Sequence, residues 1–389
     1  MMLKAFLVVL GKELRDALRD RRTLMRLLIP AVLMGPLMLS VISSLISSLE
    51  AQAEQREVMI VGIDNAPTLR NFIERQTYKI KAAPDGYEEL LRTSKLNEPV
   101  LLIGKDFEKQ LAAGEQPEVE LVTDSANQRA RAGERAVGGL IEGFNRERGS
   151  LALMLRGVSP ALLKSVELNA RDLASTQARA SQITGMIPMF IIMAVLYGAL
   201  TAALDSTAGE RERGSLEPLL MNPVQPFALV LGKWGAVALL GMAVAVIANL
   251  GYVPAQSLIR NETLQAMFRF GPLEALNFLL LQLPLAAGLS ALLMAVAIRS
   301  KTYKEAQAGS ALVITFVSLA PMISMMNPGA EAFWYYAVPG LGQYALMMQV
   351  LKGQTLQLLP VLTTAAGGLL LMVGGLAFVA RSMRAAVAR

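Results

Sequence analysis

The stretch "ITGMIPMFIIMAVLYGALTAAL" (Ile183 to Leu204) carries no charged side chain, and the stretch "GERERGSLEPLLMNPV" (Gly209 to Val224) follows it almost at once. A helix needs roughly 20 predominantly apolar residues to cross the hydrocarbon core of a bilayer. The first stretch therefore predicts a membrane-spanning helix. The second stretch predicts a polar segment just outside the bilayer.

Five other stretches share the apolar character of the first. They are Leu27 to Leu49, Phe227 to Val253, Ala275 to Ile298, Ala306 to Met326, and Leu356 to Ala380. The composition of the whole chain is consistent with several membrane spans. Of its 389 residues, 53% are hydrophobic and 17% are charged, and the mean hydropathy is +0.44. This composition is too apolar for an ordinary soluble domain. The predicted fold class is a polytopic α-helical membrane protein, with transmembrane helix 1 at 27–49 and helices 2–6 within 183–389.

Basic residues next to the spans predict the orientation, because short cytoplasmic flanks are enriched in Lys and Arg. With six spans, three basic groups fall on one side: Lys4, Lys12, Arg15, Arg19, Arg21, Arg22 and Arg26; Arg299, Lys301 and Lys304; Arg381, Arg384 and Arg389. Both termini and the loop 205–224 are therefore expected in the cytoplasm, with the chain in a bacterial cytoplasmic (inner) membrane. The net charge of +6 is attributed to this orientation, and no nucleic-acid partner is expected.

Residues 50–182 form the large hydrophilic segment, which this topology places outside the cytoplasm. Strand-like stretches begin at Val58, Pro99 and Val119, and helix-like stretches lie between them and after them, the last from about Gln128 to Leu155. This alternation predicts an extracytoplasmic α/β domain inserted between helices 1 and 2. Residues 1–26 instead place Leu and Phe at helical spacing among basic residues, which predicts an amphipathic helix in the cytoplasmic headgroup layer.

Several kinds of chemistry are disfavoured by the residue types. The chain has no Cys and no His, so thiolate nucleophiles, imidazole catalysis and zinc sites of the usual kind are excluded. A phosphate-binding loop is also missing, since the nearest approach to one, Gly232-Lys233, is followed by Trp234. No catalytic, cofactor-binding or metal-binding residue is therefore predicted in this chain.

The segment from Gly209 to Val224 has the pattern of a short helix with two boundaries. Ser215 can cap its start, and Pro223 keeps Asn222 out of helical conformation. Apolar side chains recur there at i, i+3 and i+4 and are surrounded by charges. Such a patch suits a protein partner. The alternative is an ordinary connecting loop whose charges only fix the topology.

Three segments resemble one family of membrane proteins. They are "KELRDALRDRRTL" (Lys12 to Leu24), "GERERGSLEPLLMNPVQPFALVLGKW" (Gly209 to Trp234) and "YKEAQ" (Tyr303 to Gln307). They look like the permease subunits of exporter-type ABC transporters of the type-2 class, in particular the NatB-like branch, and the likeness covers essentially the whole chain.

The resemblance implies that the loop after the second span docks into a separate cytoplasmic ABC ATPase subunit, which binds ATP and Mg²⁺. It also implies a second permease copy, identical or different. The residues that match the docking motif are Glu210, Glu212, Arg213, Gly214, Leu216, Glu217, Leu219 and Leu220.

Small residues mark two of the spans. Hydroxyl side chains recur along one stripe of the first span, and Ser40, Ser44 and Ser47 are candidates for a cargo path, although close helix packing is the alternative. The last span repeats Gly367-Gly368 as Gly374-Gly375, which predicts a close-packing face.

The function predicted is that of a permease subunit in an ATP-driven exporter. One alternative is a membrane-anchored sensor or assembly factor whose external domain binds a ligand, although five further spans exceed what an anchor needs. Another is an ion-coupled carrier. Such carriers usually keep charged residues within the membrane, and we expect none inside these spans.

Overall fold

The computed structural model describes residues 2–54, 56–124, 126–127, 130–163, 173–215, 225–259, 270–326 and 332–387, with the single positions 166, 169, 171, 218, 265 and 268. The chain divides into two compact units. One is formed by Met1–Ile46 with Leu173–Arg389, and the other is Ser47–Asp172.

Two helices open the chain. Helix α1 covers Met2–Arg19, and helix α2 covers Arg21–Glu54 with Pro30 and Pro36 inside it. The apolar part of α2 is Leu27–Ser48, which matches the first predicted span to within a residue.

The unit Ser47–Asp172 contains a four-stranded sheet in the order β2-β1-β3-β4. Strand β1 pairs in parallel with β2 and β3, whereas β4 runs antiparallel to β3. The elements are β1 (Glu57–Val61), α3 (Pro67–Arg75), β2 (Lys79–Ala82), α4 (Tyr87–Arg92), β3 (Val100–Ile103), α5 (Phe107–Ala113), β4 (Val119–Val122) and α6 (Ala130–Leu155). Its core joins the two middle strands to α3 and α6, where the rings of Phe72 and Phe144 meet edge to face at 5.5 Å.

Strand β2 was not predicted from the sequence. It reads Lys79-Ile80-Lys81-Ala82 and lies at the edge of the sheet, where Ile80 is half-buried and the other three residues are exposed. A strand with so little buried surface needs no apolar run, so it leaves little signal in the sequence.

The remaining helices build the membrane unit. They are α7 (Thr176–Thr184), α8 (Met186–Leu204), α9 (Pro226–Ala255), α10 (Pro272–Ala297), α11 (Tyr303–Met326), α12 (Leu341–Leu351) and α13 (Leu358–Val387). Helix α8 continues through a π-helical turn at Asp205–Gly209 and a last turn at Glu210–Glu212. Among the described residues, six helices are long and apolar enough to cross a membrane, in agreement with the six predicted spans.

Close backbone approach holds α10 against α13. A Cβ atom on Gly368 would collide with the backbone of Pro284, and one on Gly375 would come within 2.7 Å of the Ala291 carbonyl carbon. The predicted packing face is therefore confirmed for these two glycines. A Cβ atom on Gly374 would meet no described atom within 4 Å, so this glycine lies outside the contact.

Candidate functional site: a buried charge network

Lys233 is the centre of a cluster of charges at the end of the third span. Its side chain is fully buried in α9. The ammonium Nζ donates to Glu13 Oε1 at 2.9 Å, to Glu210 Oε2 at 2.5 Å and to the Ser206 carbonyl at 3.0 Å. An ammonium group has three protons, so these contacts use all of them. The expectation that the spans hold no charged residue was therefore wrong.

Lys12 completes the network from its more exposed side. Its Nζ lies 2.8 Å from Glu210 Oε1, 3.1 Å from Glu13 Oε1 and 3.5 Å from Asp16 Oδ2. Glu13 and Glu210 are buried, and each carboxylate touches both lysines. Two buried carboxylates thus face two ammonium groups, the balance that a desolvated cluster of charges requires.

The pKa of Lys12 reflects this setting. Burial acts to lower the pKa, but the hydrogen bond to Glu210 and the nearby charge of Glu13 outweigh it and raise the pKa above its ordinary value. Lys12 therefore stays protonated at physiological pH and remains a cation beside Glu13 and Glu210.

Small residues in α9 explain how α1 comes close enough to reach Lys233. A Cβ atom on Gly232 would lie 2.7 Å from the Val9 side chain, and one on Gly235 would lie 3.3 Å from Leu10 Cδ1. Helix α1 therefore rests directly on α9, and Glu13 meets Lys233. The pair Gly232-Lys233, which superficially resembles part of a phosphate-binding loop, serves helix packing and charge pairing in the structure.

The π-helical turn at Asp205–Gly209 lies against the network. Two of its carbonyl oxygens accept hydrogen bonds from side-chain cations: Lys233 Nζ binds the Ser206 oxygen, and Arg213 Nη2 binds the Asp205 oxygen at 3.2 Å. Single π-helical turns inside α-helices occur frequently at functional sites.

The residues after this turn reach the connection between α10 and α11. Arg211 Nη1 donates to the Ser300 carbonyl at 3.0 Å, and Glu212 Oε2 accepts from the Tyr303 amide at 2.7 Å. The network and these two contacts bring together the three segments that carry the family resemblance, although they are far apart in the sequence.

The predicted docking residues have different positions. Glu210 is buried in the network, Glu212 binds the start of α11, Arg213 binds the π-helical turn, and Gly214 adopts a left-handed conformation with φ of 68°. The other four lie outside the described residues: Leu216, Glu217, Leu219 and Leu220.

The serine candidates lie elsewhere, along α2. Ser40 and Ser44 are exposed and Ser47 is half-buried, whereas the neighbouring Ser43 is buried. None of these serines belongs to the charge network. Their role in a path stays a prediction.

Sequence reasoning missed Lys12, Glu13 and Lys233 as site residues. Two signals could have found them. Lys233 is a lone charge within an apolar stretch, which by default suggests a functional residue with a partner. Glu13 follows Leu10 by three positions, which places a carboxylate beside the apolar face of α1.

Comparison with known proteins shows the family of the chain. The family described as "ABC-2 family transporter protein" matches residues 21–379. The chain is 27% identical over 352 residues to the "ABC transporter permease protein NatB" of Bacillus subtilis (strain 168), a match that covers 88% of each chain. No solved structure matches the chain. Because the family match spans nearly the whole sequence, the chain belongs to the ABC-2 family of transporter proteins.

Proposed function

We propose that this permease works in an ATP-driven exporter, and that a separate ATPase subunit docks on the segment from Gly209 to Val224. The observation that carries the proposal is the meeting of α1, the end of α8 and the start of α11 around Glu210 and Glu212. A movement of the docking segment would be transmitted to three helices at once through these contacts. Family membership supports the same reading, since ABC permeases act with an ATPase.

The parts of the segment have separate roles in this proposal. Leu216, Leu219 and Leu220 form the apolar surface that enters a cleft of the ATPase, with Glu217 at its rim. Glu210 and Glu212 face the permease and pass the movement on. ATP and Mg²⁺ are bound by the ATPase subunit, while this chain supplies the path across the membrane.

The orientation follows from the basic flanks of the spans. The docking segment and both termini face the cytoplasm of a bacterial cell, and residues 50–182 form an extracytoplasmic α/β domain. A second permease copy, identical or different, completes the path, along which Ser40, Ser44 and Ser47 lie. Sodium, a drug, a lipid and a peptide are all candidate cargoes, and the apolar spans suit an apolar or amphipathic one best.

Lys233 bears on the alternative of an ion-coupled carrier, because it is a charge inside a span. It lies seven residues from the first residue of α9, which is about 10 Å along a helix. Binding sites of ion-coupled carriers lie near the bilayer midplane. Lys233 lies near the end of the span, and all of its ammonium protons have acceptors. Both observations favour a role at that end of the span over a role in ion binding at the midplane.

The test is to purify the protein from its native host and to reconstitute it in vesicles together with the subunits that co-purify with it. We expect an ABC ATPase to co-purify, and vesicles loaded with ATP to transport cargo only while ATP is hydrolysed. Transport that follows an ion gradient and continues without ATP hydrolysis would establish the carrier instead. A chain that binds an external ligand and moves no cargo would establish the sensor.

A further inference from the structure

The π-helical turn at Asp205–Gly209 is tied to α1 through one ammonium group. Lys233 Nζ binds the Ser206 carbonyl inside the turn, Glu210 directly after it, and Glu13 on α1. The side chain is fully buried, so water cannot replace it at the Ser206 oxygen. The geometry of the turn and the position of α1 therefore depend on the same atom.

We propose that Lys233 is a positioning residue that holds this turn in its widened form and so sets the direction of the docking segment. An α-helix advances by about 100° and 1.5 Å per residue. If the turn closed into regular α-helix, the residues after it would rotate and shift by about that amount relative to α8. Glu210, Glu212 and Arg213 would then leave the partners that they contact in this structure.

The surroundings leave room for such a change. A cavity of about 210 Å³ lies beside the turn and is lined by residues of α1, α2, α8, α9 and the turn itself, together with Asp20, Glu210 and Arg213. Asp205 and Ser206 of the turn border this cavity, whereas Thr207, Ala208 and Gly209 are buried away from it. Two side-chain cations donate to carbonyl oxygens of the turn, Lys233 from α9 and Arg213 from the residues that follow the turn.

Removal of Lys233 alone would leave buried carboxylates without enough cations, so the test uses a charge-balanced variant. Lys233→Met combined with Glu13→Gln removes one cation and one carboxylate and keeps the pair of Lys12 with Glu210. Lys233→Arg keeps the charge. Lys352→Met is the matched control, because it removes a partly exposed lysine at the end of α12, away from the network.

The first readout uses the permease without any partner. The chain contains no Cys, so Ser215→Cys with Lys301→Cys gives two labelling sites on exposed residues without further changes. Spin labels there report the distance between the docking segment and the connection before α11. We expect the distribution to shift by several ångströms in the balanced variant and to stay unchanged in Lys233→Arg and in the control. Identical distributions in all variants would overturn the proposal.

A second variant decides the case in which the balanced pair does not fold. Arg213→Gln removes the other side-chain donor to the turn and changes an exposed residue. If Lys233 holds the turn, the wild-type distance persists in Arg213→Gln. A shift in this variant would show that Lys233 is not sufficient and would contradict the proposal.

The role in coupling rests on the proposed function and needs the ATPase. With the complex reconstituted, we expect the balanced variant to hydrolyse several-fold more ATP per cargo molecule, while its unfolding midpoint stays near that of the control. An unchanged ratio beside a shifted distance would remove the coupling role. Failure to find any ATPase would contradict the proposed function, and the distance measurement would still decide whether Lys233 holds the turn.

Discussion

A buried lysine in a membrane helix is a costly residue, and Lys233 shows what makes it tolerable. Each ammonium proton has an acceptor, and the two acceptor carboxylates share a second cation, Lys12. A charge is strongly destabilising when it is buried without a partner, whereas a complete pair is close to neutral. We therefore expect the network to contribute specificity for one arrangement of α1, α8 and α9 more than net stability.

Single and paired substitutions in the network should therefore have different effects on stability. Lys233→Met alone should lower the free energy of unfolding by about 3–5 kcal/mol, because it leaves the two buried carboxylates Glu13 and Glu210 to share Lys12. Adding Glu13→Gln should recover most of that loss, since the charges then balance. The measurement is the unfolding midpoint of each variant in the same detergent. Equal losses in the single and the paired variant would show that packing around Lys233 matters more than its charge.

At the scale of secondary-structure elements, the contact between α10 and α13 gives the sharpest test of helix packing. Gly368→Ala should destabilise the protein by about 1–3 kcal/mol, because the new Cβ collides with the backbone of Pro284 and the helices must move apart. Gly374→Ala is the matched control in the same helix and has open space around the new atom. It should be neutral or slightly stabilising, since Ala favours a helix over Gly by up to about 1 kcal/mol.

Thermal unfolding of both glycine variants, side by side, measures this difference. If the two substitutions lower the unfolding midpoint equally, the two helices do not approach each other as the structure shows.

The role of the apolar residues in the docking segment can be tested by substitution. Leu219→Ala with Leu220→Ala should separate the ATPase from the permease or uncouple it, because each fully buried leucine contributes roughly 1.5–3 kcal/mol. Glu217→Lys should have a smaller effect that added salt reduces, since a charge at a rim acts mostly through screened, long-range attraction.

Subunit association, ATP hydrolysis and transport by the reconstituted complex are the measurements for the docking segment. Both variants should keep a folded membrane unit. Full association and normal transport in the double alanine variant would mean that the segment is a plain connection.

At the scale of the whole molecule, length and hydropathy were enough to predict the six spans. Their signal is long and continuous, and the structure agrees with it. The sequence marks Lys233 as a lone charge in an apolar stretch, but it does not show the partners of this lysine, because residues 12, 210 and 233 come together only when α1 lies on α9. The edge strand at Lys79–Ala82 was missed for a different reason, since it buries too little surface to need an apolar pattern.

The orientation in the membrane is the last prediction, and the Cys-free chain makes it direct to test. Asp85→Cys places a thiol on an exposed residue of the unit Ser47–Asp172, and Ser215→Cys places one on the docking segment. If Lys and Arg set the orientation, a membrane-impermeant thiol reagent added outside intact cells should label the first variant and spare the second. Lysed cells should show labelling of both, which controls for accessibility. Labelling of residue 215 from outside would reverse the orientation, and it would place the charge network on the side where no cytoplasmic ATPase could reach it.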